Sequence, residues 1–356
     1  MGHVSTFKFD ARRPLPELAL VGCHSEGEVG DVIVGGIEEV AGTTMFEKLK
    51  SFERTHDSVR QLLLNEPRGR ASLNLNVVLP PCDPQADVGV ITMSNDAYAF
   101  MSGSNAICAT TVLLETGAVR MVEPETRLIL DTPAGLVPVV AQCERGKCKS
   151  VAFDNVPAFV EKLDMPVDVP GIGRIPVDIA WGGMWYGIVA AESLGVSVSN
   201  QSATELIELG DLVTKSIQAQ FTPVHPENAQ MAGVCTVSIT EAVESQPGFV
   251  TAKHTTIIPP SRCDRSPCGT GTSARMAVLH ARGILKPGDV FRHRSIIGTE
   301  FVCRIKQTIK VCGYDAIIPN ISGRAWITGY KQMVLDPTDP YPEGFRVGDQ
   351  WPMASL

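Results

Sequence analysis

The sequence of 356 residues predicts a mixed α/β protein built from two similar halves. Three observations carry that expectation. From Leu18 onward, short apolar runs alternate with Gly, Pro and Asp turns, the signature of strands. A few longer segments space their apolar residues as helices do. The chain also repeats itself. The stretch Met101-Ser102-Gly103-Ser104-Asn105-Ala106-Ile107-Cys108-Ala109, continuing through Leu113, Leu114 and Gly117 to Val119, lies without a gap on the segment around Cys268. Ser102 falls on Cys268, Gly103 on Gly269, Ser104 on Thr270, Val112 on Val278, Leu113 on Leu279 and Gly117 on Gly283. A weaker echo, residues 26–34 against 181–189, precedes each copy. Two copies of one architecture imply an internal repeat, with the chemistry between them.

The elements follow in order. Residues 1–14 are polar and read as a loose tail. Strands are expected at 31–35, 72–79, 88–92, 128–131 and 137–141, each an apolar run closed by turn residues. Between the first two, residues 46–64 set Phe46, Leu49, Phe52, Val59 and Leu62 or Leu63 on one helical face and stop near Pro67. The helix expected at 104–117 is apolar nearly all round, as a helix enclosed by a sheet would be. Residues 157–176 are proline-rich and read as an irregular connection between the halves. The second half repeats the plan: a strand at 186–191, a helix at 203–219, strands at 234–240 and 250–255, then the helix that Cys268 opens and Gly283 stops. Strands at 300–305, 308–311 and 324–330 follow, and the tail 336–351 packs back on the surface. The resulting domains are 15–170 and 171–334, with residues 335–356 returning to the first.

The chemistry gathers at the two helix starts. Backbone N–H groups in the first turn of a helix have no partner within it and point at whatever precedes it, which makes an anion site. In Cys263-Asp264-Arg265-Ser266-Pro267-Cys268-Gly269-Thr270-Gly271-Thr272-Ser273-Ala274 a cysteine stands directly before such a turn. The same N–H groups stabilise a thiolate, so Cys268 is expected below its ordinary pKa and reactive near neutrality. Asp264, four positions earlier, is placed to hold a substrate cation. Ser102 is a favoured helix N-cap. Metal is not expected: Cys263 and Cys268 lack a second ligand pair. His225 reads as a loop residue, and His254 and His280 lack a catalytic partner pattern. Trp181, Trp185 and Tyr186 are either core or the wall of a pocket.

The pair of motifs, Met101-Ser102-Gly103-Ser104-Asn105 and the Asp264–Ala274 stretch quoted above, resembles the proline racemase family, which includes hydroxyproline epimerases and trans-3-hydroxyproline dehydratases. The likeness runs from about residue 18 to about residue 334. It implies a diaminopimelate epimerase-like fold: two pseudo-symmetric α/β (α+β) domains, each a barrel-like sheet around a central helix, with the active site in the cleft between them. It implies Cys268 as the base that takes an α-proton and Asp264 as partner of the ring nitrogen. The backbone N–H groups of Gly103, Ser104, Gly269 and Thr270 would hold the carboxylate, and no cofactor or metal is required. The racemases and epimerases carry cysteine at both helix starts, with a first motif like MCGHN; here Ser102 and Ser104 stand instead. Their histidine in the strand corresponding to 233–240 is also missing. A serine hydroxyl is a poor partner in a symmetrical proton exchange, which points to a trans-3-hydroxy-L-proline dehydratase giving a pyrroline-2-carboxylate, with Ser102 as the opposing catalytic acid/base or proton relay and with minor 4-hydroxyproline epimerase activity. The alternatives are a 4-hydroxyproline epimerase or proline racemase and, in another class, a non-catalytic anion-binding protein.

Composition sets the outer limits. Hydrophobic content of 44% with 20% charged residues suits a globular enzyme. A net charge of −8 without a basic run argues against nucleic acid as a partner. No long apolar stretch or charged-then-apolar leader is seen, so no membrane partner is expected. Ten cysteines without a compact spacing fit a reducing cytoplasm. The expected partner is a small hydroxyproline, with a homodimer left open.

Overall fold

Two circuits of strands organise the chain, and each wraps round one apolar helix. A computed structural model describes residues 17–258, 261–348 and 351; the tail expected over residues 1–14 lies outside them. The first half runs β1 (Glu17–Ser25), β2 (Glu28–Gly35), α1 (Met45–Thr55), α2 (Asp57–Leu64), β3 (Leu73–Leu79), β4 (Val88–Met93), β5 (Tyr98–Ala99), α3 (Gly103–Glu115), β6 (Glu125–Thr132), β7 (Gly135–Glu144) and β8 (Lys147–Asp154). The chain continues through β9 (Ala158–Val169), β10 (Gly173–Trp181), β11 (Trp185–Ala190), α4 (Ala203–Gln220), β12 (Val224–His225), β13 (Asn228–Ala232), β14 (Thr236–Thr240), β15 (Glu244–Gln246), β16 (Phe249–Ile258) and β17 (Arg262–Cys263). It ends with α5 (Gly269–Ala281), β18 (Phe291–Arg294), β19 (Glu300–Val311), β20 (Tyr314–Gly323) and β21 (Ala325–Val334).

The internal repeat is visible in the pairing. β1–β2 and β10–β11 are antiparallel neighbours. β2 lies parallel to β3 across a helical crossover, as β11 lies parallel to β14. β4 lies parallel to β6 with α3 between them in the chain, as β16 lies parallel to β18 with α5 between them. Antiparallel runs β6–β7–β8 and β18–β19–β20 complete each copy. Each half then gives its last strand away. β9 follows β8 but pairs with β10, and β21 follows β20 but pairs with β1. An antiparallel ribbon carries the exchange: Asp154 lies opposite Asn320, and Ala158 opposite Ile317. The boundaries expected from the sequence, 15–170 and 171–334, cut across these circuits.

Burial explains why these two helices sit inside. Residues 103–114 of α3 are all buried, against β1, β2, β8 and β21. α5 is enclosed in the same way by β9, β10, β11 and β20. An apolar helix with no polar face has no stable place on a surface. The expectation of a barrel-like sheet around a central helix is met in both halves.

Three local expectations change. The proline-rich segment 157–176 is not irregular but forms β9 and the start of β10. Pro166 lies opposite Pro176, both exposed, while Val167, Val169, Ile175 and Val177 point inward. The prolines share a pair at which neither residue donates to the other, so the ladder loses nothing there. The helix expected at 46–64 breaks into α1 and α2 at His56, whose φ is −128° and ψ 13°. The strands expected at 300–305 and 308–311 are one strand, β19, with an irregular register between Ile305 and Gln307. The C-terminal tail does pack on the first half. Phe345 bridges to Glu66, Arg68 pairs with Asp339, and buried Trp351 donates from Nε1 to Glu66 Oε1 at 2.5 Å. Among the described residues no helix is long and apolar enough to cross a membrane.

A buried imidazole pair braces the loop before α5. His254 on β16 and His293 on β18 stack with ring centroids 3.6 Å apart. A carbonyl only accepts, so the 2.5 Å contact to the Pro267 oxygen makes Nε2 the protonated nitrogen of His254; its Nδ1 accepts from Ser238 Oγ at 2.8 Å. Thr272 Oγ1 donates to the same carbonyl at 2.7 Å, so its 2.8 Å contact with His293 Nδ1 is donated by the ring. Burial keeps both imidazoles neutral. Burial drives His254 down to about 3 and His293 well below its usual value. Because the folded values lie below the unfolded one, the unfolded chain takes up protons first. The contribution is intact above about pH 6.5 and is lost as pH falls toward 3. At pH 5 this costs about 2 kcal/mol for His254 alone. Melting curves should thus show a lower Tm at pH 5 than at pH 7.5. His293→Phe keeps a stacked ring without its titration and should shrink that difference; an undiminished difference would contradict the neutral-pair assignment.

Candidate active site

The two enclosed helices meet end to end. A Cβ placed on Gly103 would lie 2.6 Å from the Gly269 Cα, and one on Gly269 would lie 2.5 Å from the Gly103 Cα. Phe153 closes the contact from the side, its Cζ 2.6 Å and 3.1 Å from those same positions. Gly182 makes a second close approach: its Cβ would fall 2.2 Å from the Thr270 carbonyl oxygen. Only glycine allows such spacing. At this junction lies a cavity of about 270 Å³. Ser102, Ser104, Asp264, Cys268, Gly269 and Thr270 line it, so the sequence had marked both walls. Gly103 is not in the lining; it stands at the helix contact.

Cys268 is the N-cap of α5 and is held at φ 54°, ψ 104°, a left-handed conformation that a non-glycine residue adopts only under constraint. The constraint is visible. Its N–H donates to Ser266 Oγ at 3.1 Å, its carbonyl accepts from Thr272 N at 2.8 Å, and the preceding carbonyl is fixed by Thr272 and His254. The sulfur accepts from Gly271 N at 3.4 Å and lies 3.5 Å from the Tyr186 hydroxyl. The expectation of a lowered pKa is not met. Burial pushes the thiol up to about 12, and the nearby charge of Asp264 adds to it. Hydrogen bonds with Tyr186, Thr256 and the Gly271 amide pull the other way without cancelling it. A helix start favours a thiolate, but removing the thiol from water weighs more here.

Ser102 occupies the N-cap of α3 with extended backbone, yet its side chain makes no capping bond to the helix backbone. Instead its oxygen accepts from Asn105 Nδ2 at 2.9 Å. Asn105 Oδ1 accepts from Asn76 Nδ2 at 2.8 Å, and Asn76 Oδ1 accepts from Thr92 Oγ1 at 2.8 Å. This buried chain fixes the serine oxygen as an acceptor and leaves its own proton directed away from the chain. Gly30 makes room for it, since a Cβ there would lie 2.4 Å from Asn105 Oδ1.

Asp264 is 2% exposed and accepts from both the N–H and the hydroxyl of Ser266. Burial, reinforced by the charge of Glu28, pushes it up to about 8, while Arg262 and Ser266 draw it down. Glu28, on β2 of the other half, is equally buried, and burial opposes its charge. It is nonetheless held below the usual carboxylate range by Arg262 at 2.5 Å and the Arg265 N–H at 2.9 Å. Asn74 donates to it at 2.7 Å. Near neutrality the charges of Glu28 and Arg262 cancel, and Asp264 beside them is held mostly protonated.

Sequence reasoning missed Glu28, Asn74, Asn105 and Thr256, which also line the cavity, and left Tyr186 undecided. Asn105 stood inside the repeated motif, and Glu28 and Tyr186 stood inside the weaker echo. Their position in the repeat was the only available signal; Glu28 and Tyr186 in particular act on residues far away in the chain.

The comparisons agree with this architecture. The proline racemase family model matches residues 20–346. A crystal structure of a probable proline racemase from Agrobacterium radiobacter, with bound carbonate, is 40% identical, covering 94% of this chain and 98% of that one with a TM-score of 0.89. A hydroxyproline epimerase from Agrobacterium vitis, with bound trans-4-hydroxy-L-proline, is also 40% identical, covering 94% and 96% with a TM-score of 0.90. A phenazine biosynthesis protein of the PhzF family from Bacillus anthracis shares the fold alone, at 10% identity, 90% and 99% coverage and a TM-score of 0.57. With two enclosed helices meeting at one cavity and the family pattern spanning nearly its whole length, the chain belongs to the proline racemase family.

Proposed function

We propose that this protein is a trans-3-hydroxy-L-proline dehydratase that works without a cofactor. The observation that carries the reading is the inequality of the two helix starts: a thiol at Cys268 faces a hydroxyl at Ser102 across one cavity. Two helix N-termini aimed at a small dry space supply fixed N–H dipoles for a carboxylate, and for the charge that grows on it as the α-proton leaves. Gly103, Ser104, Gly269 and Thr270 are the proposed donors. Asp264 takes the ring nitrogen. As that cation binds, Asp264 releases its proton to solvent and the cation balances the carboxylate charge. The electrostatic part of the burden on Cys268 is then relieved, which favours its thiolate.

Cys268 as thiolate removes the α-proton and becomes the thiol. The electron pair moves onto the carboxylate and then into the Cα–C3 bond as the 3-hydroxyl leaves. That hydroxyl departs as water with a proton relayed through Ser102, whose oxygen is held by Asn105 while its own hydrogen is free to donate. The remaining pyrroline-2-carboxylate tautomerises. A symmetrical racemisation needs a second group that can exist as a strong base, and a serine hydroxyl is far weaker in that role than a thiol.

The second reading is a 4-hydroxyproline epimerase, supported by the 40% identity to one such enzyme over nearly the full length. In either case we take the two halves, 15–170 and 171–334 apart from the strands β9 and β21 that they exchange, to close around substrate, and place the chain in the cytoplasm.

Proton NMR in deuterated buffer separates the readings. Trans-3-hydroxy-L-proline should disappear with growth of a pyrroline signal, and Cys268→Ser should abolish this. Deuterium entry and epimer formation on trans-4-hydroxy-L-proline alone would make the epimerase correct. Asp264→Asn should raise KM by about tenfold or more, as loss of a charge-assisted hydrogen bond does; an unchanged KM would remove Asp264 from the ring-nitrogen site. Ser102→Cys supplies the second thiol and should increase α-proton exchange on trans-4-hydroxy-L-proline relative to dehydration. No change in that ratio would mean that Ser102 does not set the outcome.

A further inference from the structure

The scheme above leaves a buried thiol that must work as a thiolate, and it gives the nearest hydroxyl no task. Tyr186, from β11, is 2% exposed and places Oη 3.5 Å from the Cys268 sulfur and 2.7 Å from Thr270 Oγ1. The Thr270 hydroxyl has no other hydrogen-bond partner among the described residues.

We propose that Tyr186 is a catalytic hydrogen-bond donor to the Cys268 sulfur, oriented by Thr270 from behind, that stabilises the thiolate; this rests on the reading of Cys268 as the base. A phenol carries one proton and can give it to only one neighbour. When Cys268 is a thiolate, Thr270 donates to Tyr186 and Tyr186 donates to sulfur. When Cys268 has taken up a proton, the S–H donates to Tyr186 and Tyr186 donates to Thr270. The same three atoms therefore satisfy one another in both protonation states, with rotation of two hydroxyls and no movement of heavy atoms. The donors already on the sulfur do not suffice alone. The Gly271 N–H and the Tyr186 hydroxyl lie at similar distances from the sulfur, 3.4 Å and 3.5 Å, and a phenolic O–H bond to an anion is among the stronger kinds.

The electrostatic surroundings agree. Asp264, in the loop before α5, opposes the thiolate, with Glu28 of β2 and Arg262 of β17 paired behind it. From β16, Thr256 helps, and Cys235, before β14, is a neutral thiol beside Tyr186. Burial, with the neighbouring sulfur charge, raises the phenol's own pKa well above the usual value, so Tyr186 stays protonated and remains a donor at any working pH.

The test is iodoacetamide alkylation of the full-length protein between pH 7 and 9, read by mass spectrometry at Cys268 and, as an internal reference, at the exposed Cys312. Below the thiol pKa the rate follows the thiolate fraction. Tyr186→Phe should therefore slow alkylation at Cys268 about tenfold across the range, the equivalent of one pKa unit, and leave Cys312 unchanged. Turnover should show kcat down by a similar factor with KM nearly constant. Thr270→Val should give a smaller slowing in the same direction. An unchanged rate at Cys268 overturns the proposal, and equal slowing at both cysteines does the same. Slower alkylation combined with full turnover by Cys268→Ser would instead remove Cys268 as the base, while keeping Tyr186 as the donor to its sulfur.

Discussion

The contact between Gly103 and Gly269 is the constraint on which the rest depends. Two helices can be brought start to start only if neither carries a side chain at the point of contact, and neither does. Their partial positive ends repel each other, so the arrangement is favourable only with negative charge gathered in front of it. The sheets are built to enforce this approach. Each barrel holds its helix by an apolar surface on all sides, and the ribbon between the barrels fixes how far apart the two helices stand. Phe153, on that ribbon, touches both glycine positions and sets the spacing of the walls.

Within that geometry the two halves have diverged in how they manage a polar group at the helix start. The first half steadies a hydroxyl with a line of amides, Asn76 and Asn105, that can neither gain nor lose a proton near neutrality. The second half surrounds a thiol with groups whose charge or hydrogen bonds decide its ionisation: Asp264 against it, Tyr186, Thr256 and the Gly271 amide for it. One wall is therefore fixed and directional, the other adjustable. Charge balance is shared between the halves, because Glu28 from the first half helps to hold Asp264 in a partly protonated range. A substrate that brings its own cation changes the state of both carboxyl and thiol at once.

Much of this was legible in the chain. The ungapped repeat located both helix starts, and helical spacing located α4, α5 and the region of α1 and α2. Six of the seven marked residues line one cavity, because a turn at a helix start is a local feature and a local pattern reports it. What was not legible depends on distance. Residues 157–176 looked irregular because prolines normally interrupt strands; only the partner strand shows that Pro166 and Pro176 face each other where no hydrogen bond is required. The pKa of Cys268 was misjudged because the helix start is written in neighbouring residues, whereas its burial comes from β11 and β16. Tyr186 and Glu28 gained their meaning in the same way, from elements far along the chain.

The exchange of last strands bears on how such a protein could arise. Neither half owns a complete barrel: β9 leaves the first half to finish the second, and β21 returns to finish the first. A single ancestral half could have closed its sheet only by trading strands with an identical copy, and in such a symmetric pair both helix starts must carry the same residue. Joining the copies into one chain lifts that restriction. Covalent fusion is thus what permits a hydroxyl at one helix start and a thiol at the other within a single chain.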